Sequence, residues 1–201
     1  MSTPARAART LGLAVFIALI LLLGVHTLTK QRIEDAQQDW LLQNLAELFP
    51  TGQSFDNDPL ESMHQLVAPE LGTDKPVAVY PLYQSGKPVA CVLELVAPDG
   101  YSGDIQILLG VRYDGQVIAA RVIEHKETPG LGDDIEYRKS DWIIQFNGQS
   151  LVSNQQAGWN LRSAGGDYDG LTGATITSRA VIQAIYRALD WYKNHKDEVY
   201  L

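Results

Sequence analysis

The sequence predicts an α+β protein: a single N-terminal membrane-spanning helix, then a domain with a mainly antiparallel sheet and packed helices. Three observations carry this. Residues 10–29 form an uncharged stretch rich in Leu, Ile, Val and Ala. From Pro88 onward, runs of β-branched residues alternate with Asp-Gly pairs. Near the end of the chain, a turn rich in Gly and Thr opens a segment with apolar residues at helical spacing. Strands grouped together and followed by a helix indicate α+β rather than alternating α/β order.

With 201 residues, the chain accommodates one globular domain and an appendage. A composition of 45% hydrophobic and 20% charged residues argues against disorder. The net charge of −8 and the lack of a basic patch argue against nucleic acid as a partner. Cys91, the single cysteine, lies in an apolar run; it has no intramolecular disulfide partner and reads as a small buried hydrophobe. One thiol cannot hold an iron–sulfur cluster, and the four histidines have no metal-ligand spacing.

In chain order, Arg6 and Arg9 precede the apolar stretch. Roughly 20 residues rising ~1.5 Å each cross a ~30 Å hydrocarbon core. A cleaved signal peptide is the competing reading, but Leu23-Gly24-Val25-His26-Thr27 lacks an A-x-A-like site and no lipobox cysteine follows, so a retained anchor is expected. His26 falls at the interface. Lys30 and Arg32 nearly balance Arg6 and Arg9, yet no further Lys or Arg occurs until Lys75, which leans toward a cytoplasmic amino terminus. The expected organisation is a cytoplasmic tail (1–9), the span (10–29), a helical linker and loop region (30–86) and the domain (87–201). Over 31–48, Ile33, Ala36, Trp40, Leu41, Leu45 and Leu48 share one side of a helix closed by Pro50. It is either a spacer or a packing surface. Residues 51–85, with four prolines and weak periodicity, read as loop with a short helix around 61–67.

Strands are expected at 89–96, 105–113 and 116–124, joined by Asp99-Gly100 and Asp114-Gly115 in an antiparallel meander. Ser140 caps a short helix at 141–146, ended by Asn147-Gly148. Residues 152–167 are polar and turn-rich, with one short strand near 159–162. Val181, Ala184, Ile185, Ala188, Leu189 and Tyr192 place an amphipathic helix from 176 to about 195.

The helix is entered through Asp169-Gly170-Leu171-Thr172-Gly173-Ala174-Thr175-Ile176-Thr177-Ser178. Thr175, Thr177 and Ser178 sit where an N-cap and first turn belong. Such a start has unpaired N–H groups and partial positive charge, which suit a phosphate; an ordinary Thr-capped turn fits the same residues. A second stretch, His125-Lys126-Glu127-Thr128-Pro129-Gly130-Leu131-Gly132-Asp133, reads as a tight turn after a strand.

Asp169 with Thr172-Gly173-Ala174-Thr175 and Thr177 resembles the flavinylation motif of the FMN-binding domain family, and 125–133 resembles that family's other signature. Order, spacing and the single apolar segment most resemble the RnfG family of the Rnf electron transport complex, with the related FMN-bearing component of the sodium-pumping NADH:quinone reductase next. The resemblance covers about 89–192 well, the anchor in general character and 51–86 poorly. It implies a membrane-anchored flavoprotein component of an ion-translocating electron transport complex. FMN would be joined to Thr175 by a phosphoester, placed there by a flavin transferase that uses FAD. Gly173 and Ala174 would leave the phosphate unobstructed, while Thr172, Thr177 and Ser178 would donate to its oxygens. Asp169 would form the turn or be read by the transferase. The 125–133 loop would lie against the ring, with Thr128 and Leu131 the foremost contacts beside Glu127 and Gly130. Glu127 reads as an exposed, solvated or turn-bonding group rather than half of an acid–base pair with His125. Trp142, Trp159, Tyr137 and Tyr168 are candidates for stacking, each more simply read as core. The resemblance further implies the other components of the complex as partners and the bacterial inner membrane as location, with the domain on the periplasmic side and no independent turnover. The quinone reductase component, a free-standing flavinylated shuttle and an anchored non-redox binding module remain alternatives.

Overall fold

The computed structural model describes residues 3–49, 55–151 and 156–201. It divides into two units, Met1–Gln43 and Asn44–Leu201.

Helix α1, Thr3–Leu48, is continuous. No Pro separates the expected span from the helix expected to run on from it, and the two form one continuous helix. Within α1, Leu11–Lys30 is long and apolar enough to cross a membrane. Its Leu, Ile and Val side chains are exposed on every side, the pattern of a helix that faces lipid. Thr27 and Thr29 donate their hydroxyls to the carbonyls of Leu23 (3.0 Å) and Val25 (2.8 Å), so neither needs a partner outside the helix. The side chains of Ile33, Ala36, Trp40 and Leu41 lie outside the described residues, as does Pro50.

Among the described residues of the second unit, five strands form an antiparallel meander in sequence order: β1 (His64–Leu66), β2 (Val77–Gln84), β3 (Lys87–Ala97), β4 (Ile105–Arg112) and β5 (Val117–Glu124). The last three correspond to the strands expected from the Asp-Gly spacing. The first two correct the loop reading of 51–85, and β1 takes the place of the helix expected around 61–67. β2 escaped notice because Val77–Leu82 is buried on both faces and so lacks alternation. Pro81 is tolerated because β1 pairs only with Val77, Ala78 and Val79, which leaves Pro81 on a free edge. There the Asn57 amide donates to the Pro81 carbonyl (2.9 Å) and accepts from the Tyr83 N–H (2.8 Å).

Helix α2, Thr175–Asn194, lies against β3. Val181, Ile185, Ala188 and Leu189 from α2 join Leu93, Leu95, Ile107 and Leu109 in the main core. Each such Leu or Ile contributes about 1.5–3 kcal/mol by leaving water. Leu82, Val92 and Leu108 are buried outside that cluster, so the sheet is covered on its second face too. Leu45 and Leu48, in the last turn of α1, are also buried outside the main core.

The segment between β5 and α2 is built from short 3-10 turns. Trp142–Phe146 is a 3-10 helix rather than an α-helix, and the Ser140 hydroxyl accepts the Trp142 N–H (3.1 Å) at its start. Phe146, Trp159 and Tyr168 stack with centroids 4.9–6.5 Å apart. The strand expected at 159–162 reduces to one bridge, Leu161 to Tyr168. The C-terminal helix α3, Lys196–Val199, brings the Tyr200 hydroxyl to that of Tyr192 at 3.0 Å.

Candidate functional site

The meander brings the end of β3, the start of β4 and the end of β5 to one edge, with Ala97 opposite Ile105 and Gln106 opposite Glu124. Three segments there enclose a cleft of about 380 Å³. They are the β3–β4 turn, the loop after β5 and the start of α2. The volume lies within the ~300–1,000 Å³ range of small-molecule sites.

Thr175 is the first residue of α2, preceded by Ala174. The sequence placed Thr175, Thr177 and Ser178 as capping groups, but no side chain caps the helix. The first helical bond is donated by Ser178 to the Ala174 carbonyl (3.0 Å). The N–H groups of Thr175, Ile176 and Thr177 therefore have no acceptor in their own helix. Gly173 turns the chain here with φ +78°, and a Cβ on it would stand 3.1 Å from Leu131 Cδ2. Leu131 thus packs on the bare backbone of the opposite wall.

The hydroxyls near Thr175 differ in state. Thr175 is exposed and lines the cleft. Thr177 lines it too, but is buried and donates to Glu127 Oε2 at 2.7 Å. Ser178 is fully buried, donating to the Ala174 carbonyl (3.0 Å) and accepting the Leu171 N–H (2.9 Å). Both were expected to donate to a phosphate; their protons are already committed. Thr172 is exposed and stands outside the cleft lining.

Glu127 is buried, not exposed as the sequence suggested. Its Oε1 accepts the Ser102 N–H (3.1 Å) while Oε2 takes the Thr177 hydroxyl, so one carboxylate ties all three walls together. Room for it depends on Gly132, where a Cβ would stand 2.8 Å from Oε2. Thr128 and Leu131 line the cleft beside it. Gly130 does not; its φ of +77° only closes the turn, in which Leu131 and Gly132 donate to the Thr128 carbonyl.

Behind this loop runs a chain of polar contacts. His125 Nδ1 accepts the Glu127 N–H (3.0 Å), which puts the ring proton on Nε2, facing Glu136 at 2.8 Å. Lys139 bridges Glu136 and Asp133, and Asp133 accepts the Leu131 N–H (3.2 Å). The hydrogen bond from Lys139 holds the Asp133 carboxyl below its usual range, against the effect of burial. Burial also pushes Glu136 up, but hydrogen bonds from Lys139 and His125 outweigh it and the net shift is downward. Lys139 is raised by its bonds to Asp133 and then Glu136.

Asp169 is exposed, and its carboxylate pairs with Arg162 (2.8 and 3.3 Å). Trp142 Nε1–H and the Gln145 amide donate to its carbonyl, which pins the turn entering α2. Of the aromatic candidates, Trp159 and Tyr168 are core and Trp142 is committed to Asp169. Tyr137 is not core: it is half exposed beneath the Arg121 guanidinium, 3.9 Å from the ring centroid. None of these four lines the cleft; Tyr101 and Ile176 do, and the sequence reading missed both. Ile176 had a signal, since it falls off the apolar stripe of α2. Tyr101 had none beyond its place beside Asp99-Gly100.

Residues 100–190, which include all three walls, match the model of the FMN-binding domain family. The chain is 42% identical to the RnfG component of the ion-translocating oxidoreductase complex of Pseudomonas aeruginosa (strain UCBPP-PA14) over 195 residues, covering 96% of this chain and 91% of that protein. The chain belongs to the RnfG family. Its members in Vibrio cholerae (strain O395) and Shewanella baltica (strain OS223) are 39% and 38% identical, covering 87% and 94% of this chain and 83% and 90% of theirs.

The cleft fits FMN on its own chemistry. An open helix start receives an anion, glycine leaves space beside it, and Leu131, Ile176 and Tyr101 give apolar surface for a flat ring. Among the described residues, no cluster of His, Cys, Asp and Glu could hold a metal.

Proposed function

We propose that this chain is the membrane-anchored, FMN-bearing component of an Rnf-type ion-translocating oxidoreductase complex, with FMN joined as a phosphoester to the Thr175 hydroxyl. The supporting observation is that Thr175 combines an exposed hydroxyl, a position on the cleft and the open N–H groups of a helix start. Flavin held there supplies one- and two-electron transfer. The N–H groups of 175–177 offset the phosphate charge, and Thr128, Leu131 and Ile176 hold the ring side. Glu127 and His125 spend their polar atoms on one another's segments and on Thr177, Ser102 and Glu136, so the site relays electrons without a side-chain acid or base.

A flavin transferase would load the site. The Arg162–Asp169 pair, exposed at the mouth of the turn, would be the feature it reads. The sparse positive charge after Arg32 supports a cytoplasmic tail over 1–9 and a domain on the periplasmic side of the inner membrane. There a covalent bond keeps the cofactor from being lost. Other components of the complex would be its redox partners.

The test is in-gel flavin fluorescence after denaturing electrophoresis of chains made beside a flavin transferase. The wild type should be labelled, and Thr175→Ala should lose the label entirely with unchanged folding by circular dichroism. A folded Thr175→Ala chain that still carries covalent FMN would overturn the assignment.

A further inference from the structure

We propose that Tyr101 is the ring-stacking wall of the cleft, its phenol lying on the flavin ring system. This rests on FMN occupying the cleft, as proposed above. Tyr101 is 68% exposed although it is a large aromatic residue, and it lines the cleft. Among the described residues, it makes none of the ring contacts that occupy Trp142, Phe146, Trp159 and Tyr168.

The backbone beneath it is nonetheless closely built. Gly100 and Gly103 close a turn with the Gly103 N–H directed at the Gly100 carbonyl (3.4 Å), which puts Tyr101 at its first corner. Gly103 has φ +120°, open to glycine at little cost. At Gly100 a Cβ would stand 2.2 Å from the Gly103 carbonyl and 2.9 Å from Glu127 Oε1. Glu127 then fixes the second corner through the Ser102 N–H. The same carboxylate grips the helix start two residues beyond Thr175 through Thr177. One buried group therefore sets the position of the aromatic residue and of the anchoring turn together. A turn held this firmly, carrying an exposed ring that makes no aromatic contact among the described residues, suits a flat partner that arrives with the cofactor. Leu131 and Ile176, 47% and 51% exposed, complete an apolar rim of the same character.

The experiment uses the detergent-solubilised full chain, flavinylated in cells, as wild type, Tyr101→Phe and Tyr101→Leu. Emission is compared before and after unfolding, and iodide quenching is measured on the folded protein. An electron-rich phenol in contact with excited flavin quenches it. The folded wild type should therefore emit several-fold less than the same sample unfolded, and Tyr101→Leu should recover most of that loss. Tyr101→Phe should recover emission while keeping the ring shielded from iodide. Emission is normalised to the label that each variant carries on denaturing gels, so that differences in loading do not enter the comparison. Equal emission and equal iodide access in wild type and Tyr101→Leu would overturn the stacking role while leaving the covalent reading intact. An unlabelled wild type would overturn the covalent reading instead. Free FMN added to the protein then takes over as probe, quenched by wild type and not by Tyr101→Leu if the proposal holds.

Discussion

Glu127 shows what a single residue's environment decides. A carboxylate after a strand end ordinarily faces water, and nothing within ten residues says otherwise; its burial comes from Thr177, fifty positions away, and from Ser102. Removing the donor is the informative change. Thr177→Val keeps shape and volume but leaves Glu127 Oε2 buried without its hydrogen bond, at a cost of about 1–3 kcal/mol. Thr177→Ser keeps the bond and should stay near wild type. Thermal melting of the two variants checks this, and equal midpoints would show that the hydroxyl does not hold the carboxylate. The converse case is Thr175, whose neighbours offer hydroxyls that composition cannot rank. Burial and donor use rank them: Ser178 and Thr177 are committed inward, Thr172 is off the cleft, and Thr175 is open. Cys91 was legible throughout. It is fully buried, and burial pushes its thiol up to about 12, so it is inert at neutral pH.

At the scale of elements, the loop after β5 is held by charge where the strands are held by apolar packing. Asp133 and Glu136 titrate lower in the folded protein than in the unfolded chain, so their contribution is present above the unfolded values of about 4 and is lost as pH falls through the lower folded ones. Lys139 titrates higher, so its contribution is complete below about 10.4 and is lost as pH rises through the raised value. The loop should be tightest between roughly pH 5 and 10. Amide hydrogen exchange over 126–139, corrected for intrinsic rates, should lose protection several-fold at pH 3 relative to pH 7, while α2 changes little. Equal loss in both would mean that the loop opens only with the whole domain. These ion pairs had no sequence signal beyond a cluster of charges. β3, β4 and β5 had a strong one, because all three are rich in β-branched residues and are set apart by Asp99-Gly100 and Asp114-Gly115. β2 had none, since a strand buried on both faces looks like any apolar run and Pro81 argues against it until the free edge is seen.

For the molecule as a whole, the question is where the domain begins. The sequence put its start at 87, yet β1 and β2 complete the sheet and the compact unit runs from Asn44. The last turn of α1 belongs to that unit: Leu45 is 3% exposed, Leu48 is fully buried, and Phe49 meets Phe55 edge-on at 5.4 Å. Burying Leu45 and Leu48 contributes about 1.5–3 kcal/mol each, an upper figure because the unfolded chain hides part of that surface. Against a typical domain stability of about 5–15 kcal/mol, losing both is a large fraction. A chain truncated to begin at Asn44 should therefore fold with a cooperative transition. One beginning at Asp56 should unfold at markedly lower denaturant, or fail to accumulate. If the two truncations melt alike, the turn is a passive end of the anchor, and the domain starts with its sheet.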